Sequence, residues 1–474
     1  MHSDILIVGA GSAGSVLAER LSVDERCRVT VLESGAGISE SGVVALIRDG
    51  SVLPIGAASP LVRRYHTTLT EQPARGARIV RGAVVGGSGA VNGGYFCHGL
   101  RRDFDGWDIP GWAWRDVEEH FRAIETDLDF GGPAHGGNGP MPVRRVAEFS
   151  SSTGEFVHRA EQAGYRWIAD LNAGTSDAMV GVGAVPLNIA DGVRVSPGAA
   201  FLQPAVSRPN LKLLTNTTAR RIRVTSGRAT GVDADGPAGP LILTADRIVL
   251  CAGAIESAHL LILSGIGDEA ALHRAGIPVV ARLPVGSRCS DHPEWVMSTD
   301  WTTSPGRPVL EAVLVTADGL EIRPYTGGFV AMVGDGTAGQ PDWPHVGIAL
   351  MRPKSRGRLT LRSSDPTVPL QIEHRYDTDP GDVAFLERGS DLARELCAPI
   401  ARLGEPLWST SQHLCGSAPI GNDDDDHAVL DPHCRVRGVN ALWVVDGSAL
   451  PAITSRGPHA SIVMFAHRAA EFIT

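Results

Sequence analysis

One imidazole in this chain sits where a sequence seldom spends one without use. His413 lies in QHLCGSAPIG (412–421), a nearly uncharged, turn-rich segment with Gly416, Pro419 and Gly421 close behind it. A histidine ionises near working pH, so one held in a fixed turn can take a proton as a general base. Alone, such a histidine is more often an ordinary hydrogen-bonded residue. Function requires a cofactor and a second reactive group. Cys415 is two residues away, but no resolving cysteine accompanies it. The run Asp423–Asp426 lacks the alternating spacing of a calcium loop and reads as a solvated loop. No metal site is expected. His292, in SDHPEW, reads as a structural hydrogen-bonding residue that, with Asp291, could lie close to a cofactor. His98, His259, His345 and His374 have no partner that the sequence names.

The cofactor is read from the amino terminus. The apolar run Ile5–Val8 suits a buried parallel strand. It runs into Gly9-x-Gly11-x-x-Gly14, with Ser12 and Ala13 between the last two glycines, and a helical pattern follows at Val16, Leu17 and Leu21. A second apolar run, RVTVLESG (28–35), ends in Glu33 and Ser34, and Glu33 lies 19 positions after Gly14. This is a dinucleotide fingerprint in its full context. Gly9 makes the turn, Gly11 lets backbone approach a pyrophosphate, and Gly14 lets the helix pack on the strand. Glu33 can bind ribose hydroxyls.

A second glycine cluster follows. Gly82, Gly86, Gly87, Gly89, Gly93 and Gly94 fall within RGAVVGGSGAVNGGYFCHG (81–99), interleaved with Val84, Val85, Val91, Tyr95 and Phe96. A flexible linker seldom carries so many apolar residues. A loop pressed against a flat ring fits better, with Asn92 as a polar contact. A second cofactor loop favours FAD over NAD.

Composition sets outer limits. The chain has 474 residues, 43% hydrophobic and 20% charged, which suits two or three domains or one large discontinuous one. The net charge of −10, without a basic block, argues against nucleic acid as a partner. Seven cysteines without a CxxC pair suit reduced thiols in a cytoplasm. No stretch approaches the ~20 apolar residues of a membrane helix, and nothing near Met1 reads as a signal peptide.

These residues carry a resemblance. Residues 82–96, with VVGGSGAVNG at their centre, and GAIESAHLLILSGIG (253–267) are similar to the two signatures of the glucose–methanol–choline (GMC) flavoprotein oxidoreductases. PVGSRCSDHP (284–293), SRGRLTLRSSDP (355–366) and RVRGVNALWVVDGSALP (435–451) also resemble family segments. The departures are Ala83 and Ala258. The resemblance implies an α/β fold: a Rossmann-type FAD-binding domain with a discontinuous antiparallel-sheet α+β substrate domain. The FAD domain is expected at 1–60, 80–130, 192–292 and 413–474, and the substrate domain at 61–79, 131–191 and 293–412. The resemblance implies cofactor contacts at Gly86, Gly87, Ser88, Val91, Asn92, Gly93, Gly94, Ala219, Ala252, Gly253, Asp446, Gly447, His459 and Ala460. Some members bond FAD covalently through a histidine that matches Val91 here, so noncovalent FAD is expected. The catalytic motif resembles His413-Leu-Cys-Gly416-Ser417, and the partner position matches His459 in TSRGPHAS. The expected chemistry is alcohol oxidation. His413 is expected as the main base that takes the proton from oxygen while the hydride leaves carbon for flavin, with His459 as its partner bonding the substrate oxygen. A swap of the two roles stays open here.

A narrower resemblance rests on AVNGGYFCHG, FRAIETDLDF, VGAVPLNIADG, ADRIVLCAGAIESAHLL and DHPEWV, which look like the mycofactocin-associated GMC enzymes of actinobacteria. It implies oxidation of mycofactocinol, with electrons passed to a quinone, a partner protein or another respiratory-chain component. The expected place is the cytoplasm, with peripheral contact at the inner face of the membrane as a further option. A GMC dehydrogenase or oxidase acting directly on a small alcohol, and a non-redox FAD-containing lyase or binding protein, stay open as alternatives.

Overall fold

The apolar run after His2 becomes a strand, His2–Val8, because flanking layers cover both of its faces. The chain was built as a computed structural model that describes residues 2–38, 42–173, 179–328 and 344–473. The helix Ser12–Leu21 follows the first strand and buries Val16, Leu17 and Leu21. Strand Val29–Leu32 then pairs parallel to the first, Ile5 opposite Val29 through Val8 opposite Leu32. This places the end of the second strand, and Glu33 after it, beside the glycine turn.

The first sheet has the order Leu211–Leu214, Val29–Leu32, His2–Val8, Gly239–Leu250, Arg228–Gly236 and Thr218–Thr225, with Leu442–Val444 pairing parallel to the end of Gly239–Leu250. Its five parallel strands come from residues as distant as 2 and 444, so the unit is discontinuous. The helices Ser12–Leu21, Gly253–Leu263 and His459–Ala469 all begin near the carboxyl ends of these strands.

The second large sheet runs Leu407–Thr410, Pro293–Ser298, Pro344–Leu350, Leu320–Gly328, Ala312–Val315, Gly181–Ala184 and Trp167–Ile168, and is antiparallel except at its last pair. The helix Pro380–Cys397 buries Leu386, Ala393 and Leu396 against it. Asp379 caps the start of this helix, its side chain accepting the Gly381 N–H at 2.8 Å. The segment GLEIRPYTGGFVAMVG (319–334), whose pattern suits antiparallel sheet, forms Leu320–Gly328; from 329 on it lies outside the described residues. A third sheet joins Val62–Glu71 and Ala74–Gly82 to Arg358–Thr360 and Gln371–Glu373. Among the described residues no helix is long and apolar enough to cross a membrane.

Candidate active site

Two glycine-rich loops meet at the carboxyl end of the first sheet. A Cβ on Gly87 would lie 2.7 Å from Cα of Gly11, so the loops pass backbone against backbone. The helix beginning at Ser12 is capped by Gly11 without a side-chain hydrogen bond, which leaves its first N–H groups free for an anion. Glu33 is buried, and its carboxylate accepts the N–H of Ala10 at 2.9 Å and of Gly35 at 2.8 Å, with the Ser34 hydroxyl at 3.3 Å. It therefore braces the turn as well as ending the strand. Burial pushes its pKa up against these hydrogen bonds. Across the sheet, Asp446 accepts the N–H of Gly253 and the Ser257 hydroxyl on one oxygen, and the Ser448 N–H on the other. It ties the turns at Ala252–Gly253 and Gly447 together. Ala219 lies at a bulge in strand Thr218–Thr225 opposite Ala234, two residues after Thr217, whose N–H donates to the Glu33 carbonyl at 2.8 Å.

The second loop fixes His459. The Asn92 carbonyl oxygen accepts from the Gly94 N–H at 3.0 Å, so its amide nitrogen is the one that reaches Nδ1 of His459 at 3.1 Å. Burial pulls the His459 pKa down to about 4, so the ring is neutral at neutral pH. Nδ1 accepts, and the single proton sits on Nε2. That Nε2 is buried and has no partner among the described residues. It faces the gap where a Cβ on Gly89 would lie 2.6 Å from it and 2.7 Å from the Ser12 hydroxyl. A buried orphan donor between the two loops fits an acceptor-rich cofactor. Val91 is buried among Leu61, Val84 and Ala90 and offers no nucleophile to a flavin. Acid precipitation of the holoprotein is therefore expected to release free FAD. Yellow colour remaining in the pellet would contradict this.

His413 follows strand Leu407–Thr410, which pairs with Pro293–Ser298. Gln412 before it takes a left-handed backbone, φ +60°, unusual for a side chain of that size. The side chain of Gln412 accepts the Val80 N–H at 2.8 Å, and Oδ1 of Asp291 accepts the His413 N–H at 2.7 Å and the His292 N–H at 2.8 Å. The imidazole is thus aimed by backbone locked on two sides. Nδ1 of His413 lies 2.9 Å from Nδ1 of His292. Burial lowers its pKa well below the ordinary 6.5, with His292, Arg323, Arg81 and His459 adding to the effect. His413 is a neutral, half-buried imidazole, the protonation state a base must start in.

Beside it stands a wall of paired charges. Arg323 donates through Nε and Nη2 to Oε2 of Glu321 at 3.0 and 2.7 Å, and through Nη1 to Glu294 at 3.1 Å and to the Ser411 hydroxyl at 2.8 Å. Tyr95 donates to Glu321 at 2.9 Å and Tyr325 to Glu294 at 2.8 Å. Arg456 lies 3.6 Å from Glu321. Two carboxylates meet two guanidinium groups, so the wall carries no net charge.

Comparison with known proteins decides the family. Two family models, each described as GMC oxidoreductase, match residues 3–294 and 353–466. The chain belongs to the GMC oxidoreductase family. It is 39% identical over its whole length to an uncharacterised GMC-type oxidoreductase of Rhodococcus erythropolis, covering 98% of that protein. It is 32% identical to an oxygen-dependent choline dehydrogenase of Sinorhizobium fredii, covering 100% of this chain and 96% of that one. Pyridoxine 4-oxidase from Mesorbium loti superposes with a TM-score of 0.88 at 27% identity, over 99% of this chain and 98% of the other. Formate oxidase of Aspergillus oryzae RIB40 shares the fold, with a TM-score of 0.89 at 23% identity over 100% and 98% of the two chains. The GMC chain is therefore an FAD-dependent oxidoreductase acting on CH–OH groups.

Within this GMC fold the structure brings Gly9, Gly11, Ser12, Gly14, Glu33, Gly87, Asn92 and His459 together around the two loops. It does not join His413 and His459 as a hydrogen-bonded pair. The imidazole hydrogen-bonded to His413 is His292. The carboxyl-terminal segment approaches His413 at Gly457, where a Cβ would lie 3.4 Å from Cε1 of His413 and 3.0 Å from the Tyr95 ring. The sequence does not single out Glu294, Glu321, Arg323, Tyr325 and Ser411. One signal was available: Glu321, Arg323 and Tyr325 alternate along a strand and so share a face. Among the described residues, Glu125, Asp127 and His135 could share a metal ion, but His98 already bonds Glu125, and Arg145 bonds Asp127.

Proposed function

We propose that this enzyme oxidises mycofactocinol, the alcohol form of a peptide-derived redox cofactor, to mycofactocinone, and passes the electrons towards a respiratory chain. His413 takes the hydroxyl proton at its imidazole. Bound FAD supplies the hydride acceptor, N5 of its ring. The O–H and C–H bonds break, a C=O bond forms, and one proton and one hydride leave the alcohol. Ser12 and the glycine loops would hold the diphosphate, Glu33 the ribose, and His459 would donate from Nε2 to the cofactor.

The observation that carries the reading is the neutral His413 imidazole, locked by Asp291 and Gln412 beside a charge-balanced wall. Such a wall favours an uncharged alcohol. Both Glu294 and Glu321 are occupied by Arg323, so neither offers an unpaired carboxylate to a cationic alcohol such as choline. The segments resembling mycofactocin-associated enzymes support the particular alcohol.

Anaerobic stopped-flow on the holoenzyme tests this. Mycofactocinol is expected to bleach the oxidised flavin band in a single turnover, and choline is not. Rapid bleaching by choline would show that the wall accepts a cation and that the charge argument is wrong. Bleaching by simple uncharged alcohols but not by mycofactocinol would keep His413 as the base and replace the substrate. No bleaching by any alcohol would point to a non-redox use of FAD.

A further inference from the structure

The direction of the His292–His413 hydrogen bond is determined by a third atom. Nε2 of His292 lies 3.1 Å from the carbonyl oxygen of Thr454. A carbonyl only accepts, so Nε2 of His292 carries a proton and donates it. His292 is fully buried, and burial, with Arg323 nearby, pulls its pKa down to about 3 against the favourable carbonyls of Thr454 and Met351. The ring is neutral and holds one proton. Its Nδ1 is therefore a bare lone pair.

The atom facing that lone pair is Nδ1 of His413, 2.9 Å away, with the rings edge to face at 89°. One of the two nitrogens must donate, and only that of His413 can. Neutral His413 then holds its single proton on Nδ1, and its Nε2 is left bare. We propose that His292 is a positioning residue that fixes His413 in the Nδ1–H tautomer and so makes Nε2 the proton acceptor for the alcohol. This rests on the reading of His413 as the base.

The device has three parts. The Thr454 carbonyl sets the proton on His292. Asp291 holds both backbone N–H groups, so the two rings keep their distance. His292 transmits the choice to His413. The opposite arrangement holds at His459, where the Asn92 amide donates to Nδ1 and leaves the proton on Nε2. Two neutral imidazoles at one site thus have opposite tautomers. His413 accepts a proton at Nε2, and His459 donates from Nε2. The sequence favours His413 as the base but leaves a swap open; the hydrogen bonds assign the two tautomers. When the alcohol proton arrives at Nε2 of His413, its Nδ1–H continues to donate to His292, so no second proton has to move.

Two variants and one spectrum test the proposal. His292→Asn places an amide oxygen near the former Nδ1, and His292→Leu keeps the bulk but has no acceptor. Both are expected to purify with FAD. Flavin reduction by the alcohol that bleaches the wild type should fall about 10–100-fold in the leucine variant, the usual effect of losing a residue that orients a functional group. The asparagine variant should keep most of the rate. Equal losses in the two variants would overturn the proposal. Independently of turnover, imidazole nitrogen–proton correlations on histidine-labelled holoenzyme should show His413 protonated at Nδ1 and bare at Nε2, its signals assigned by their loss in His413→Gln. A proton on Nε2 of His413 in the wild type would also overturn it. Should the leucine variant fail to fold, the wild-type spectrum decides alone. Full-rate reduction in His413→Ala would instead refute the base reading, and an Nδ1–H tautomer of His413 in the wild-type spectrum would separate that failure from this one.

Discussion

His413→Ala is expected to purify yellow, with FAD bound, and to undergo flavin reduction by its alcohol about 10²–10⁴-fold more slowly, the usual worth of a positioned general base. The cofactor loops lie around Gly11, Gly87 and Asp446, and the side chain of His413 braces none of them. Its backbone N–H to Asp291 survives the substitution, so the turn should hold. What is lost is the acceptor for the hydroxyl proton. The pH dependence has a definite sign. A base works unprotonated, and burial and neighbouring positive groups place the His413 pKa below 6.5. The wild-type reductive rate should be flat through neutral pH and fall only as pH drops through that lowered value. The alanine variant should lose this acid limb together with the rate. Stopped-flow absorbance over a pH series measures both. Unchanged reduction, or an acid limb that survives in the alanine variant, would remove His413 from the chemistry.

The parts of this molecule that the sequence announces are local. Strand, glycine turn, helix and second strand occupy residues 2–32, and each dictates the next, so the cofactor cradle is legible from types and spacing. The substrate side is assembled from distant pieces. Tyr95 and Glu321 are 226 residues apart, and Ser411 and Glu294 are 117 apart. No periodicity links them; only the pairing of Leu407–Thr410 with Pro293–Ser298 brings Ser411 beside Glu294. The partner of His413 shows the same limit. A histidine 46 positions on looks like its mate in one dimension. The chain passes His413 at Gly457, two residues before His459, and the imidazole that hydrogen-bonds His413, His292, comes from 121 residues upstream. Its burial and its Thr454 contact, which give it a role, are properties of the packed fold.

Gly11→Val should yield a folded, colourless protein. The case depends on which atoms surround each glycine of the fingerprint. A Cβ on Gly14 would fall 1.9 Å from the Gly9 carbonyl oxygen, inside the protein's own turn, so any side chain there breaks the strand-to-helix connection. A Cβ on Gly11 meets nothing nearer than 3.8 Å, the Cα of Gly87. The protein itself tolerates the added carbon. The methyl groups of valine would extend into the space between the two loops, where the pyrophosphate has to approach backbone N–H groups at the start of helix Ser12–Leu21. Folding and cofactor binding should therefore separate: Gly11→Val soluble with a native-like far-ultraviolet spectrum and little FAD, Gly14→Val largely insoluble. Flavin-to-protein absorbance ratio and thermal unfolding with and without added FAD measure the two effects. Stoichiometric FAD in Gly11→Val would place the pyrophosphate elsewhere, and the anion site at this helix terminus would have to be abandoned.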